Sequence, residues 1–163
     1  MLRGAIKEAG LLVLINRHIA SRTGTAPLGE EFNVRTAPQD NESLLALCKQ
    51  RIPPEQMPHL VGVGDTVTST INPSGEGGLR GGSDRGFLTL LQELGASFGR
   101  LNRVVLVDSS GGEVDRPSLA DGSLAGISDP EDPLHFDVCI PGGPEAYVNW
   151  FTGLSEARTK RTP

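Results

Sequence analysis

The 163 residues carry a net charge of −5, a hydrophobic fraction of 37% and only 4% aromatics, enough apolar material for one ordinary domain or part of a larger one. That charge argues against a nucleic-acid binder, which shows a basic face. The short basic cluster Arg158-Thr159-Lys160-Arg161 reads as a solvated tail and does not alter this. The 21 glycines and 12 prolines imply long loops. Cys48 and Cys139 stand far apart, with no metal-ligand spacing, and read as small buried hydrophobes of a reducing compartment. Leu11 to Ile15 is too short an apolar run to span a bilayer, and no signal-peptide layout precedes it, so the expected location is the cytoplasm, away from membranes.

In chain order, Leu2, Ile6 and Ala9 share one helical face, and Gly10 is the expected stop. Leu11 to Ile15 follows as a strand, although periodicity allows a helix through Ala20 equally well. Glu31 to Arg35 alternates and suggests a short strand. Asp40 is a good N-cap for a helix over Asn41–Arg51, with Leu44, Leu45, Leu47 and Cys48 inward and Pro53-Pro54 as its end. Leu60–Gly64 is a buried strand followed by a polar loop. Asn72 to Gly82 suggests a glycine-rich hairpin or flap. Ser83 or Asp84 caps the next helix, which carries Phe87, Leu88, Leu90, Leu91 and Leu94 and closes at Gly95. Arg103–Asp108 and Phe136–Ile140 complete the strands, with a long acidic loop between them. A last helix starts near Glu145, has Pro144 in its first turn, and carries an apolar stripe of Tyr147, Trp150, Phe151 and Leu154. This order predicts an α/β fold, a narrow parallel sheet with covering helices and one exposed sheet edge.

The chemistry concentrates after the first strand. Asp65 sits just past its carboxyl end, where open α/β sheets bind ligands, and Thr66, Thr68 and Ser69 add oxygens suited to Mg²⁺ and phosphate. Asp65 reads equally as a turn residue holding local N–H groups. Asp84 is either a second carboxylate folded back to the same metal or a plain helix cap. Arg80, Arg85 and Ser83 are phosphate-binding candidates, Ser83 because helix N-termini attract anions, or ordinary surface residues. Gly62-Val63-Gly64 is not a dinucleotide fingerprint, because position 67 is Val and no helix pattern follows. Ser74–Gly82 lacks the Gly-Lys-Ser/Thr of a phosphate loop, and no Gly-x-Ser-x-Gly elbow occurs. His18, His59 and His135 lie in unrelated contexts and read as surface residues.

Val61-Gly62-Val63-Gly64-Asp65-Thr66-Val67-Thr68-Ser69, followed by Arg80-Gly81-Gly82-Ser83-Asp84-Arg85-Gly86-Phe87-Leu88, resembles the glucosylglycerol-phosphate phosphatases, salt-tolerance enzymes of the haloacid-dehalogenase superfamily. The resemblance runs from about Asn33 to Phe151. It implies a HAD-like Rossmannoid core and Mg²⁺-dependent hydrolysis of 2-O-glucosylglycerol 3-phosphate to the compatible solute glucosylglycerol. It also implies Asp65, with Asp84 as the weaker match, on the metal, and a sugar phosphate as partner. The superfamily's nucleophile and acid/base lie in an Asp-x-Asp block, which these residues do not contain. Its phosphate-binding Lys, expected near the start of the helix at Asn41, is not evident; Lys49 comes two turns too late and Arg35 is a candidate. The chain therefore reads as an incomplete C-terminal half: residues 1–35 as the end of a cap or a connection, 36–157 as core and 158–163 as tail, inactive by itself. Another sugar-phosphate phosphatase of the superfamily and a non-catalytic module derived from it are the alternatives.

Overall fold

A computed structural model describes residues 7–71, 78–109, 127–128 and 131–160. The helices are α1 (Lys7–Thr23), α2 (Asn41–Arg51), α3 (Arg85–Phe98) and α4 (Gly143–Thr159), and a 3-10 turn spans Pro54–Gln56. The strands are β1 (Val61–Gly64), β2 (Thr68–Ile71), β3 (Gly78–Gly81), β4 (Arg103–Val107) and β5 (Val138–Ile140). β1, β4 and β5 form a parallel sheet in the order β1-β4-β5, with Val63 opposite Val105 and Val105 opposite Val138. β2 and β3 form a separate antiparallel hairpin, with Thr68 opposite Gly81 and Ser69 opposite Arg80. The expected α/β class and parallel sheet are observed, consistent with an incomplete HAD-like Rossmannoid fold.

α3 is the central element because it is apolar on two faces. Leu90 and Leu94 join Leu12, Ile15 and Ile19 of α1 and Leu44 and Cys48 of α2 in a core between the helices, which Ala37, Ile52 and Met57 complete. Leu88 and Leu91 pack instead on Val104 and Leu106 of the sheet, with Val67, Ile127 and Leu134. The opposite sheet face, Val105, Val107 and Ile140, is covered by Ala146 and Tyr147 of α4. The sheet is therefore sandwiched between α3 and α4, as a parallel sheet requires. β1 is its edge: Val61 is 58% exposed, and no strand pairs with its outer side among the described residues.

Several expectations need correction. Gly10 does not stop the first helix, and of the two readings of Leu11–Ile15 the helical one holds: α1 runs through both. Its buried residues Ala9, Leu12, Ile15, Asn16 and Ile19 recur every three or four positions, and this burial outweighs the ~1 kcal/mol that an interior glycine costs a helix. Glu31–Arg35 forms turns, not a strand, because the Asn33 side chain accepts from the Arg35 N–H at 2.9 Å and its carbonyl accepts from Thr36 and Ala37. Gly95 does not end α3: the helix continues to Phe98, and Gly99 at φ 61° ends it, with the Arg100 N–H returning to the Gly95 carbonyl at 2.9 Å. Thr68–Ile71 is strand and not polar loop, and the glycine-rich hairpin is observed, although 72–77 and most of the acidic loop fall outside the described residues. Asp40 caps α2 as expected, accepting from the Ser43 N–H at 2.8 Å.

The glycines around β1 serve close packing. A Cβ on Gly62 would lie 2.8 Å from Leu91 Cδ1, and one on Gly64 would lie 2.9 Å from Asp84 Cβ. α3 thus approaches β1 more closely than side chains on the strand would allow. Gly82 has φ 103°, and a Cβ there would meet the Thr66 carbonyl oxygen at 2.2 Å. Gly82→Ala combines left-handed strain with this clash and is expected to destabilise by ~2–4 kcal/mol in urea unfolding; a loss under ~1 kcal/mol would contradict this packing.

Candidate active site

A cleft of about 350 Å³ opens at the carboxyl ends of β1 and β4. Lys7, Asp65, Asp84, Ser109 and Tyr147 line it. They come from the start of α1, the turn after β1, the residue before α3, the segment after β4 and the second turn of α4.

Asp84 is only 4% exposed and binds two distant parts of the chain, the 65–66 turn and the start of α1. Its Oδ2 accepts the N–H groups of Asp65 and Thr66, each at 2.9 Å, and its own N–H donates to the Thr66 carbonyl at 3.1 Å. Its Oδ1 is paired with the Lys7 ammonium, which also donates to Ser83 Oγ at 3.3 Å. Asp84 stands at the N-cap position of α3, but its side chain turns back to the 65–66 segment and does not cap the helix. Burial alone would raise its pKa; the Lys7 ammonium and the Thr66 and Asp65 N–H donors outweigh it and hold the carboxyl below its ordinary value.

Asp65 sits within the arch that Asp84 fixes. Its Oδ1 accepts from Thr66 Oγ1 at 2.9 Å and its Oδ2 from Ser109 Oγ at 2.7 Å. The carboxylate is thus oriented into the cleft by hydroxyls on either side, and Lys7 supplies a positive charge there. Hard oxygens beside an ammonium suit a phosphate ester and a small divalent cation.

Of the other expected residues, Thr66 and Ser83 border this cluster and are exposed. Thr68, Ser69 and Arg80 lie on the hairpin and do not line the cleft; Ser69 is 2% exposed and Arg80 is exposed. Asp108 donates its N–H to the Ile140 carbonyl at 3.0 Å and borders a separate depression with Pro141 to Glu145. Arg85 is committed elsewhere. It forms a bidentate pair with Asp132 at 2.8 and 2.7 Å and reaches the Gly81, Thr68 and Ile127 carbonyls at 3.3, 3.4 and 3.4 Å. Asp132 also accepts from the Leu134 N–H and Ser128 Oγ. Arg85 is thus a clamp that ties the hairpin to Ile127 and Asp132. The three histidines are exposed as expected, and Lys49 and Arg35 lie outside the cleft. Cys48 is buried, which pushes its thiol up to about 12, and Cys139 is half-buried.

Sequence reasoning missed Lys7, Ser109 and Tyr147. Lys7 lies 77 residues from Asp84, at a helix start whose upstream face carries no chemical motif.

A carboxylate and hydroxyls from the ends of parallel strands, with a lysine from α1, thus meet at the sheet edge where open α/β folds bind ligands. Comparison with known proteins gives the family. The glucosylglycerol-phosphate phosphatase family model matches residues 1–155, and the chain belongs to that family. It is similar to the glucosylglycerol-phosphate phosphatase of Synechocystis sp. (strain ATCC 27184 / PCC 6803 / Kazusa), with 45% identity over 169 residues covering 97% of this chain. The chain spans 40% of that relative's length. No solved structure matches. No described helix is long and apolar enough to cross a membrane.

Two outcomes follow from these bonds. Arg85→Met leaves the Asp132 carboxylate buried without its cation and is expected to cost ~3–5 kcal/mol, whereas Arg85→Met with Asp132→Leu recovers most of that loss; equal losses in both variants would contradict the clamp. Asp84 and Asp132 both have pKa values below the ordinary 3.8, Asp132 because Arg85, the Leu134 N–H and the Ser128 hydroxyl outweigh its burial. The stability they contribute is complete above that value and is lost as pH falls through the lower folded values. Melting temperature should therefore drop steeply only below about pH 4, and less steeply in Asp84→Asn; an unchanged slope in that variant would remove Asp84 from the account.

Proposed function

We propose that the protein containing this chain hydrolyses 2-O-glucosylglycerol 3-phosphate with Mg²⁺ in the cytoplasm, releasing glucosylglycerol as a compatible solute. The observation that carries this reading is the family match over residues 1–155, which includes the Asp65–Lys7–Asp84 cluster at a strand's carboxyl end. Two free cysteines agree with a reducing compartment.

The donor set fits Mg²⁺, which keeps several waters and takes one or two carboxylates plus phosphate oxygens. Asp65 is the direct ligand in this reading, since its oxygens sit at the cleft and accept from the Thr66 and Ser109 hydroxyls. Asp84, saturated by N–H groups and Lys7, holds the Asp65 turn in place and reaches the metal only where Lys7 yields. When bound, the ion supplies charge neutralisation at the phosphoryl group. Lys7 binds a phosphate oxygen and offsets its charge. Ser109 and Thr66 keep the Asp65 carboxylate in one orientation. These residues lower the cost of bringing an anionic nucleophile to an anionic ester.

The 163 residues contain no Asp-x-Asp block, so the nucleophile belongs to the part of the protein beyond them, and this chain by itself should release no phosphate. In the full-length protein, Asp65→Asn should lower kcat by about 100-fold or more with melting temperature nearly unchanged, and Lys7→Met should lower kcat by a similar factor and also lower the melting temperature, because it leaves the buried Asp84 carboxylate without its cation. Near-wild-type turnover in both variants at saturating Mg²⁺ would contradict the proposal, as would Mg²⁺-dependent phosphate release by the 163-residue chain.

A further inference from the structure

We propose that the open edge of β1 and the apolar groove beside it are one docking surface, occupied by a β-strand from the part of the protein beyond these 163 residues. The inference does not depend on the phosphatase reading.

β1 leaves main-chain groups unpaired on its outer side. Arg103 donates its N–H to the Leu60 carbonyl at 2.9 Å, and the Leu60 N–H reaches Asn102 Oδ1 at 2.9 Å. Leu60, Gly62 and Gly64 therefore face β4. Val61 and Val63 turn their N–H and C=O groups the other way, toward an edge that no strand covers among the described residues. Natural proteins blunt such edges with Lys, Pro, a bulge or a covering loop. Val61-Gly62-Val63-Gly64 carries no charge and no Pro, and its register with β4 is unbroken. It has the composition of an interior strand.

Between α1 and β1 runs a groove of about 570 Å³, walled by Leu11 and Leu14 of α1, by Val34 and Val61, and by Phe87 and Leu91 of α3. Leu14 is 66%, Val61 58% and Val34 42% exposed. The two features together select the occupant. Donors and acceptors along a strand edge are matched by another extended chain and not by a small molecule. Such a chain sends alternate side chains to one face of the sheet, and the groove is an apolar bed for them. Lys7, Val63 and Asp84 line both the groove and the phosphate cleft, so the docked strand also borders the cleft. The same protein is the source. The chain spans 40% of its Synechocystis relative, so more than half of a protein of that length lies outside these residues, and a strand added here continues the existing sheet.

The test uses the full-length protein. Hydrogen exchange at the Val61 and Val63 amides should be at least about 100-fold slower than at an open strand edge. A photoreactive benzoylphenylalanine in place of Leu14 or Val61, both exposed in these residues, should cross-link to a peptide outside residues 1–163. In a mixture of isotopically heavy and light protein, each cross-linked pair should carry a single label. Fast exchange at both amides overturns the proposal. So do cross-links confined to residues 1–163, cross-links that join heavy to light copies, or no cross-link from either position. The exchange measurement needs no substitution and decides the matter if both variants fail to fold.

Discussion

The site depends on the buried carboxylate of Asp84. One oxygen gathers the N–H groups of Asp65 and Thr66, and the other holds the ammonium of Lys7. A buried charge is tolerated only when its hydrogen bonds are met, and here the partners come from the turn after β1 and from α1. The same contacts that offset the burial of Asp84 also bend the chain after β1 and bring the first turn of α1 to the sheet edge. Gly64 permits this arrangement, because a side chain there would collide with Asp84 itself.

Around this hub the fold divides into rigid support and presented chemistry. α3 carries Asp84 and is held by both the helical core and the sheet. Arg85, the next residue, fastens the hairpin base to Ile127 and Asp132. Adjacent residues of opposite charge thus set the two sides of the glycine-rich hairpin, one toward the cleft and one away from it. Asp65, Ser109 and Tyr147 are left facing the opening on short connections from strands and helix. The open edge of β1 and the exposed face of α4 lie on the same scaffold, in keeping with a chain that spans 40% of its relative.

Much of the scaffold was legible from local pattern. Asp40 before Asn41–Arg51, the apolar run into Gly64-Asp65 and Arg103–Val107 each carry a signal contained within a few residues. α1 was misread because the intrinsic cost of Gly10 was weighed without the burial that overrides it. Thr68–Ile71 was taken for loop because hydroxyls suggested ligands, although β-branched residues equally suit a strand. Asp65 and Asp84 were found from their places at element ends. Lys7 and Ser109 were not, because the contacts that place them join residues 77 and 44 positions apart, and no local pattern encodes such pairs. The separate fates of Arg80 and Arg85 were equally hidden: similar residues flank one turn, and only tertiary structure shows Arg85 committed to Asp132.

The central claim is that the Asp65–Lys7–Asp84 cluster is the metal- and phosphate-holding side of a phosphatase site. The most direct measurement is backbone amide NMR of the 163-residue chain titrated with Mg²⁺ and inorganic phosphate together. The account predicts saturable shifts centred on Asp65, Thr66 and Ser109, absent in Asp65→Asn. Shifts confined to other surfaces, or none at any concentration reached, would contradict it.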